Sequence, residues 1–161
     1  MSSASRQVEE LTPLGNLDEG EIHALLGYQL AQAAIVTTGA FERVAGKPFE
    51  LRPVEFTILQ LVRQNPELTA TQLAKALAIT TPGVASWIDR LESRGLVKRQ
   101  RSVHDRRAQH VRLTRRGAEL VGSVLKSLLQ ADRELLSHMS PGEQRMLIEL
   151  LSKVAHARRH G

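Results

Sequence analysis

Nine cations fall between Arg94 and Arg116: Arg94, Lys98, Arg99, Arg101, Arg106, Arg107, Arg112, Arg115 and Arg116, with Asp105 the only acid among them. That segment carries +8, while the rest of the 161-residue chain carries −3. Arginine is preferred to lysine, 17 against 5. A guanidinium offers a planar fork of donors that suits phosphate oxygens and narrow grooves. A mildly acidic body holding one concentrated basic segment is the footprint of a polyanion-binding surface, and nucleic acid is the leading candidate. A merely solvated basic face is the alternative.

Other chemistries are poorly served. The chain has no cysteine, which excludes disulfides, thiolate catalysis and cysteine-ligated zinc. His156 and His160 are four apart, but no carboxylate is spaced to complete a site, so no metal is expected. There is no G-x-S-x-G, H-E-x-x-H or dinucleotide fingerprint, and Thr80–Gly83 lacks the glycine spacing and lysine of a phosphate loop. Neither an enzyme nor a cofactor is expected. One Trp, one Tyr and three Phe offer little for stacking on unpaired bases, which favours duplex DNA over single strands or RNA. No apolar run approaches the ~20 residues that cross a bilayer, and Met1–Ser5 lacks the basic-then-apolar order of an export signal. The expectation is a cytoplasmic protein with no membrane partner.

The elements that position the cations follow from spacing. Residues 1–16 read as a flexible N-terminal arm. From Leu17 to about Val44, Ile22, Leu25, Leu26, Leu30, Ala33, Val36, Ala40, Phe41 and Val44 recur at helical spacing, and Gly46-Lys47-Pro48 ends the helix. Pro53 opens a second helix with Phe56, Leu59 and Val62 inward, stopped at Asn65-Pro66. Thr69 and Gln72 have the spacing of a capping box for a short third helix, with Leu73, Ala74 and Leu77 apolar. Thr80 caps a fourth, with Pro82 in its first turn, Val84, Ile88 and Leu91 inward, and Gly95 as left-handed C-cap. Trp87 flanks that inner face, which points to packing in or beside the core.

The period then changes. Leu96–Arg101 and Gln109–Leu113 read as two strands of a hairpin joined by 102–107. Thr114 caps a fifth helix carrying Val121, Val124, Leu125, Leu128 and Leu135. Ser140, Pro141 and Glu143 start a sixth, with Met146, Leu147, Leu150, Leu151 and Val154 on its inner side. The fold class is mainly α with a small β-hairpin wing: a winged helix-turn-helix between N- and C-terminal helices. The domain reading is an arm (1–16), an N-terminal dimerisation helix (17–50), the winged module (51–113) and C-terminal dimerisation helices (114–161). The first, fifth and sixth helices carry apolar stripes too extensive for a small module to cover, which predicts a homodimer with recognition helices about one helical turn, ~34 Å, apart on a pseudo-palindromic operator. An α-helix fits the major groove and its N-terminal half makes the base contacts. The fourth helix is polar there, at Thr80, Thr81, Gly83, Ser86 and Arg90.

Three stretches, Leu73-Ala-Lys-Ala-Leu77, Ile88-Asp-Arg-Leu-Glu-Ser-Arg-Gly-Leu-Val97 and Asp105-Arg-Arg-Ala-Gln-His-Val-Arg-Leu-Thr-Arg-Arg-Gly117, together resemble the multiple antibiotic resistance regulator (MarR) family of bacterial winged-helix regulators. With the flanking helices the resemblance runs from about Leu17 to the C-terminus. It implies a homodimeric transcription factor, in expectation a repressor, released from DNA by a small aromatic or anionic effector. It also implies that Arg107 reaches the minor groove, that Asp105 orients it and that Arg106 adds a wing contact. Thr80, Thr81, Pro82, Gly83, Ser86, Arg90, Arg101, Asp105, Arg106 and Arg107 form the expected DNA-binding set. Arg43, Arg52, Arg63 and His23 are available anion partners for an effector of unknown identity. The chain departs from the family pattern at Arg52, where Thr or Ser often caps the second helix, at Ala78, where Gly is common, and at Gly83 and Ser86 on the recognition helix. The rival readings are a winged-helix protein-interaction subunit and an architectural DNA-coating protein without ligand response.

Overall fold

A computed structural model describes residues 11–101 and 109–159. The tip of the expected wing, with Asp105, Arg106 and Arg107, lies outside the described residues, as do 1–10 of the arm and His160. Contacts divide the chain into two units, Met1–Ala40 and Phe41–Gly161.

In the first unit the expected single helix from Leu17 is broken. Asp18 Oδ1 accepts from the Gly20 amide at 2.9 Å, and Gly20 stands at φ +49, so the chain enters a 3-10 turn, Gly20–Ala24. Leu25 is then extended (ψ 120), and the α-helix proper, α1, is Leu26–Phe41. Residues 11–16, expected as part of a loose arm, instead turn back: Leu11 bridges Asp18, and the Thr12 hydroxyl donates to the Leu14 carbonyl and accepts from the Leu17 amide. Leu26, Leu30, Ile35 and Val36 of α1 are exposed.

The second unit does not stop the helical path at Gly46-Lys47-Pro48 as expected. A π turn, Glu42–Gly46, and one further turn, Lys47–Phe49, carry it on to Glu50, which ends it at φ +50. The extra turns place Ala45 and Leu51 in the core. Helices α2 (Pro53–Gln64), α3 (Ala70–Leu77) and α4 (Thr81–Ser93) follow, then β1 (Val97–Arg101), β2 (Gln109–Leu113), α5 (Arg115–Leu135) and α6 (Pro141–His156).

The caps are where the spacing puts them. Thr69 Oγ1 accepts from the Gln72 amide while Gln72 Oε1 accepts from Thr69 N–H. Thr80, Thr114 and Ser140 accept from Gly83, Gly117 and Glu143 amides. Gly95, at φ +68, closes α4 in a Schellman turn: its amide donates to Glu92 and that of Leu96 to Leu91. Leu96 is therefore consumed by the cap, and β1 begins one residue later than its apolar pattern suggests.

The strands are antiparallel in the register Val97↔Leu113 to Arg101↔Gln109. The segment before α3 joins them: Val111 N–H donates to Leu68 O at 2.8 Å and Thr69 bridges His110. Ile58 and Leu59 of α2, Leu73 of α3, Val84, Ile88 and Leu91 of α4, Val97, Val111, and Val121 and Val124 of α5 meet in one core. Trp87 packs at its edge, and Phe41 and Phe56 rings meet at 6.2 Å. Truncating one of the large core residues to alanine costs about 2–5 kcal/mol, so this cluster determines where α4 sits. None of the residues of helix α6 is buried, and Met146, Leu150, Leu151 and Val154 are exposed, so its apolar stripe has no cover among the described residues of one chain.

Candidate nucleic-acid interface

Recognition-type contacts need a helix whose one face is anchored and whose other face is bare. Val84, Ile88 and Leu91 fix the inner face of α4, and Thr80, Thr81, Pro82, Ser86 and Arg90 lie exposed opposite them, with Gly83 partly covered. Thr80 caps the Gly83 amide and Pro82 has no N–H, so of the first-turn amides only that of Thr81 is without a partner among the described residues, at the positive end of the helix dipole. Arg101, exposed, stands at the far end of β1 opposite Gln109, where the strands lead into 102–108.

The basic segment is less uniform than its composition suggests. Arg99 forks between Asp89 Oδ1, at 2.5 Å, and Glu92 Oε2, and Glu92 also accepts from the Arg99 amide at 3.1 Å. The bond from Asp89 is the main reason the Arg99 guanidinium is held still more firmly charged than usual. This cation ties β1 to α4. Arg94 turns inward as well, donating to the Phe49 and Glu50 carbonyls at 2.8 and 3.0 Å. Arg115 pairs with Glu119 at 2.8 Å. Lys98, Arg101 and Arg116 have no acidic partner among the described residues.

One residue that sequence inspection passed over organises this end of the molecule. Glu55, at the third position of α2, has no exposed surface. Its Oε2 accepts from Arg52 N–H at 2.8 Å, which is one half of a capping box; the other half, acceptance by the Arg52 side chain, is not made, since arginine has no acceptor. Arg90 Nε lies 2.9 Å from Glu55 Oε1, an ion pair without hydrogen-bond alignment, and Arg94 Nη1 lies 3.9 Å from Oε2. Arg52, expected as a weak cap, holds its guanidinium over the Trp87 ring, 5.4 Å from the centroid. The signal was present: an acid three residues after a cap position and just after an N1 proline is a capping-box acid. Its burial depends on residues 35 and 39 positions away.

Among the other expected groups, His23 is not a free polar-face residue. Its Nδ1 lies 2.5 Å from Glu19 Oε2, and Tyr28 donates to Glu19 Oε1 at 2.8 Å. Those bonds, His23 first, hold the Glu19 carboxyl below its ordinary value, and the same contact raises the Tyr28 hydroxyl. Tyr28 is thus a half-buried hydrogen-bonding residue. Arg43 is exposed, and His156 Nδ1 faces the Ser152 carbonyl at 2.7 Å. No group of three or more metal-ligating side chains occurs among the described residues. Arg63 lies over Gly122 of α5, beside a groove of about 400 Å3 that Lys126, Arg133, Leu125 and Leu129 also line.

A family model described as "MarR family" matches residues 51–108, the span from α2 through β1 toward β2. Among solved structures, the transcriptional repressor CouR bound to a 23-mer DNA duplex is 31% identical, with a TM-score of 0.79 over 86% of this chain and 98% of that one. BpsR of Bordetella bronchiseptica is 25% identical, with a TM-score of 0.73 over 82% and 94%. A MarR family protein of Mycobacterium tuberculosis in complex with salicylic acid is 28% identical, with a TM-score of 0.65 over 81% and 96%. The anchored helix, its bare polar face, the adjoining hairpin and these likenesses agree, and the chain belongs to the MarR family of transcriptional regulators.

Proposed function

We propose that the protein is a sequence-specific duplex-DNA-binding repressor that works in the cytoplasm as a homodimer on a pseudo-palindromic operator and is released by a small aromatic or anionic effector. The observation that carries the DNA reading is the exposed face of α4. Thr81, Pro82 and Ser86 meet base edges from its N-terminal half, while Thr80 and Gly83 approach phosphate at the helix terminus. Arg101, Arg106 and Arg107 extend the contact along the wing, with Arg107 in the minor groove and Asp105 orienting it. CouR, 31% identical, is itself a repressor bound to a DNA duplex, which supports this reading.

The dimer rests on the uncovered stripes: Leu26, Leu30 and Val36 on α1, and Met146, Leu150, Leu151 and Val154 on α6. An apolar area of that extent is normally closed by a partner surface, and a two-fold pairing closes it on both copies at once. For the effector, the groove beside Arg63, Lys126 and Arg133 joins cations to an apolar floor, the chemistry an aromatic acid needs. BpsR is regulated by 6-hydroxynicotinic acid and the Mycobacterium tuberculosis relative holds salicylic acid, both compounds of that class. No helix among the described residues is long and apolar enough to cross a membrane.

The test is binding to duplex DNA from immediately upstream of the protein's own coding region against a scrambled duplex, across a salt series. A steep salt dependence with preference for the upstream duplex is expected. Arg107→Ala should weaken binding most at A·T-rich flanks, where the minor groove narrows. Equal affinity for both duplexes would mean an architectural protein, and no affinity for either would mean a protein-interaction module.

A further inference from the structure

Arg90 was expected with the DNA-contacting residues, and its surroundings say what kind of contact it makes. It is the tenth residue of α4, about 13 Å along the axis from Thr81 at 1.5 Å per residue, away from the end that reads bases. Its side chain is 46% exposed, yet its Nε lies 2.9 Å from a carboxylate with no exposed surface. A carboxylate removed from water demands opposite charge, and Glu55 has two such partners, Arg90 and Arg94. Arg94 is spoken for by the Phe49 and Glu50 carbonyls. Arg90 is different: its Nη atoms have no partner among the described residues. One edge of the guanidinium is thus tethered and the other is presented to solvent, on the helix face that also carries Ser86.

We propose that Arg90 is a DNA-backbone clamp and that buried Glu55 is its positioning residue, holding the guanidinium so that its free edge meets a phosphate while the N-terminal half of α4 lies in the major groove. The proposal rests on the duplex-binding reading above and deepens it by assigning the phosphate register to a residue of α2 that touches no DNA. A pre-set arginine loses less rotamer freedom on binding and sets the depth and angle at which α4 enters the groove.

Glu55→Gln separates the two jobs of Glu55. A glutamine oxygen still accepts from Arg52 N–H, so the cap persists, and the charge that orients Arg90 is removed. The measurement is a double-mutant cycle in affinity, by fluorescence anisotropy on the upstream duplex and on a scrambled one, with thermal melts run beside it. Arg90→Ala should weaken both duplexes alike, about tenfold, and reduce the log–log salt slope by about 0.9, the loss of one phosphate contact. Glu55→Gln should weaken both alike in the wild-type background, by about three- to fivefold, and change nothing further in the Arg90→Ala background. Arg90→Lys keeps the charge and the slope but should still lose affinity, which provides a test if Glu55→Gln does not fold.

Additive effects of Glu55→Gln and Arg90→Ala would reduce Glu55 to a folding residue and overturn the proposal. So would tighter binding by Glu55→Gln, which would mean that Glu55 withholds Arg90 from DNA, or a change of sequence preference in Arg90→Ala, which would make it a base reader. So would wild-type affinity in Arg90→Lys. Failure of the wild-type chain to bind any duplex would instead strike the DNA reading itself, and the two failures are therefore distinct.

Discussion

Helix α5 contains two glycines five residues apart whose replacement by alanine should have opposite signs. At Gly117 an added Cβ would lie 2.0 Å from the Leu96 carbonyl oxygen and 2.9 Å from its carbon, both backbone atoms that cannot swing aside. To restore even a 3.0 Å contact the first turn of α5 must move by about 1 Å from the end of α4. That junction is dense: Thr114 N–H donates to Leu96 O at 3.0 Å, and the Thr114 hydroxyl donates to Gly95 O at 2.7 Å while its Oγ1 accepts from Gly117 N–H at 3.0 Å. Overpacking costs about 1–3 kcal/mol and a lost threonine cap about 1, so Gly117→Ala should destabilise by about 2–4 kcal/mol. At Gly122 the added Cβ meets only the Arg63 guanidinium, at 3.6 and 4.0 Å, an ordinary contact. Here alanine's better helix propensity should stabilise by up to about 1 kcal/mol. At roughly 2–4 °C per kcal/mol for a chain of this size, the two variants should melt roughly 4–20 °C apart at matched protein concentration, with wild type between. Equal melting temperatures, or Gly117→Ala at or above wild type, would refute the close approach of α5 to Leu96.

Two further outcomes follow from local geometry. Ala78 caps α3 at φ 54, ψ 40, a conformation that costs a Cβ-bearing residue about 1–2 kcal/mol, so Ala78→Gly should stabilise the fold by a net of about 0.5–1 kcal/mol, the relief less the glycine's extra unfolded-state entropy, read as a higher urea midpoint with unchanged slope. Glu143 is held below its ordinary value, first by its bond with the Ser140 side chain and then by the Ser140 amide. A lowered folded-state value means stability present above the unfolded pKa and lost as pH falls through the folded one. Acid melts from pH 6 down to 3 should therefore fall more steeply for wild type than for Glu143→Gln, which keeps the cap without the titration; parallel curves would remove the carboxylate from the account.

Local features of the fold were legible in the sequence because their causes lie within four residues. A hydroxyl at Thr69, Thr80, Thr114 or Ser140 caps the turn it begins, and Gly95 supplies the positive φ that closes α4, whatever the rest of the chain does. Features set across the chain were not. Helical spacing persists through Leu25, so the break there was invisible. It comes from Gly20 and Asp18 turning the chain, not from a change of period. Apolar spacing marks one face of α6 but cannot say whether its cover comes from the same chain. For the site, the polar face of α4 was readable from Thr81 to Ser86. Glu55 was not, because what makes it matter is the arrival of Arg90 and Arg94 from another helix.

That last failure bears on how a basic segment is interpreted. Net charge counts Arg94, Arg99 and Arg101 alike, yet only Arg101 faces solvent without an acidic partner among the described residues. Arg99 spans Asp89 and Glu92, and Arg94 spans two carbonyls near Glu55. A guanidinium can do this because its donors leave in fixed directions from one plane, so a single side chain fixes the angle between two elements where lysine would fix only a distance. Arg99 sets β1 on α4, Arg94 sets α4 on the turn before α2, and Thr114 with Gly117 sets α5 on Leu96. The recognition helix, the base of the wing and the start of α5 are thereby linked as one body. Arginines that face inward in this way fix the elements from which the outward-facing ones project.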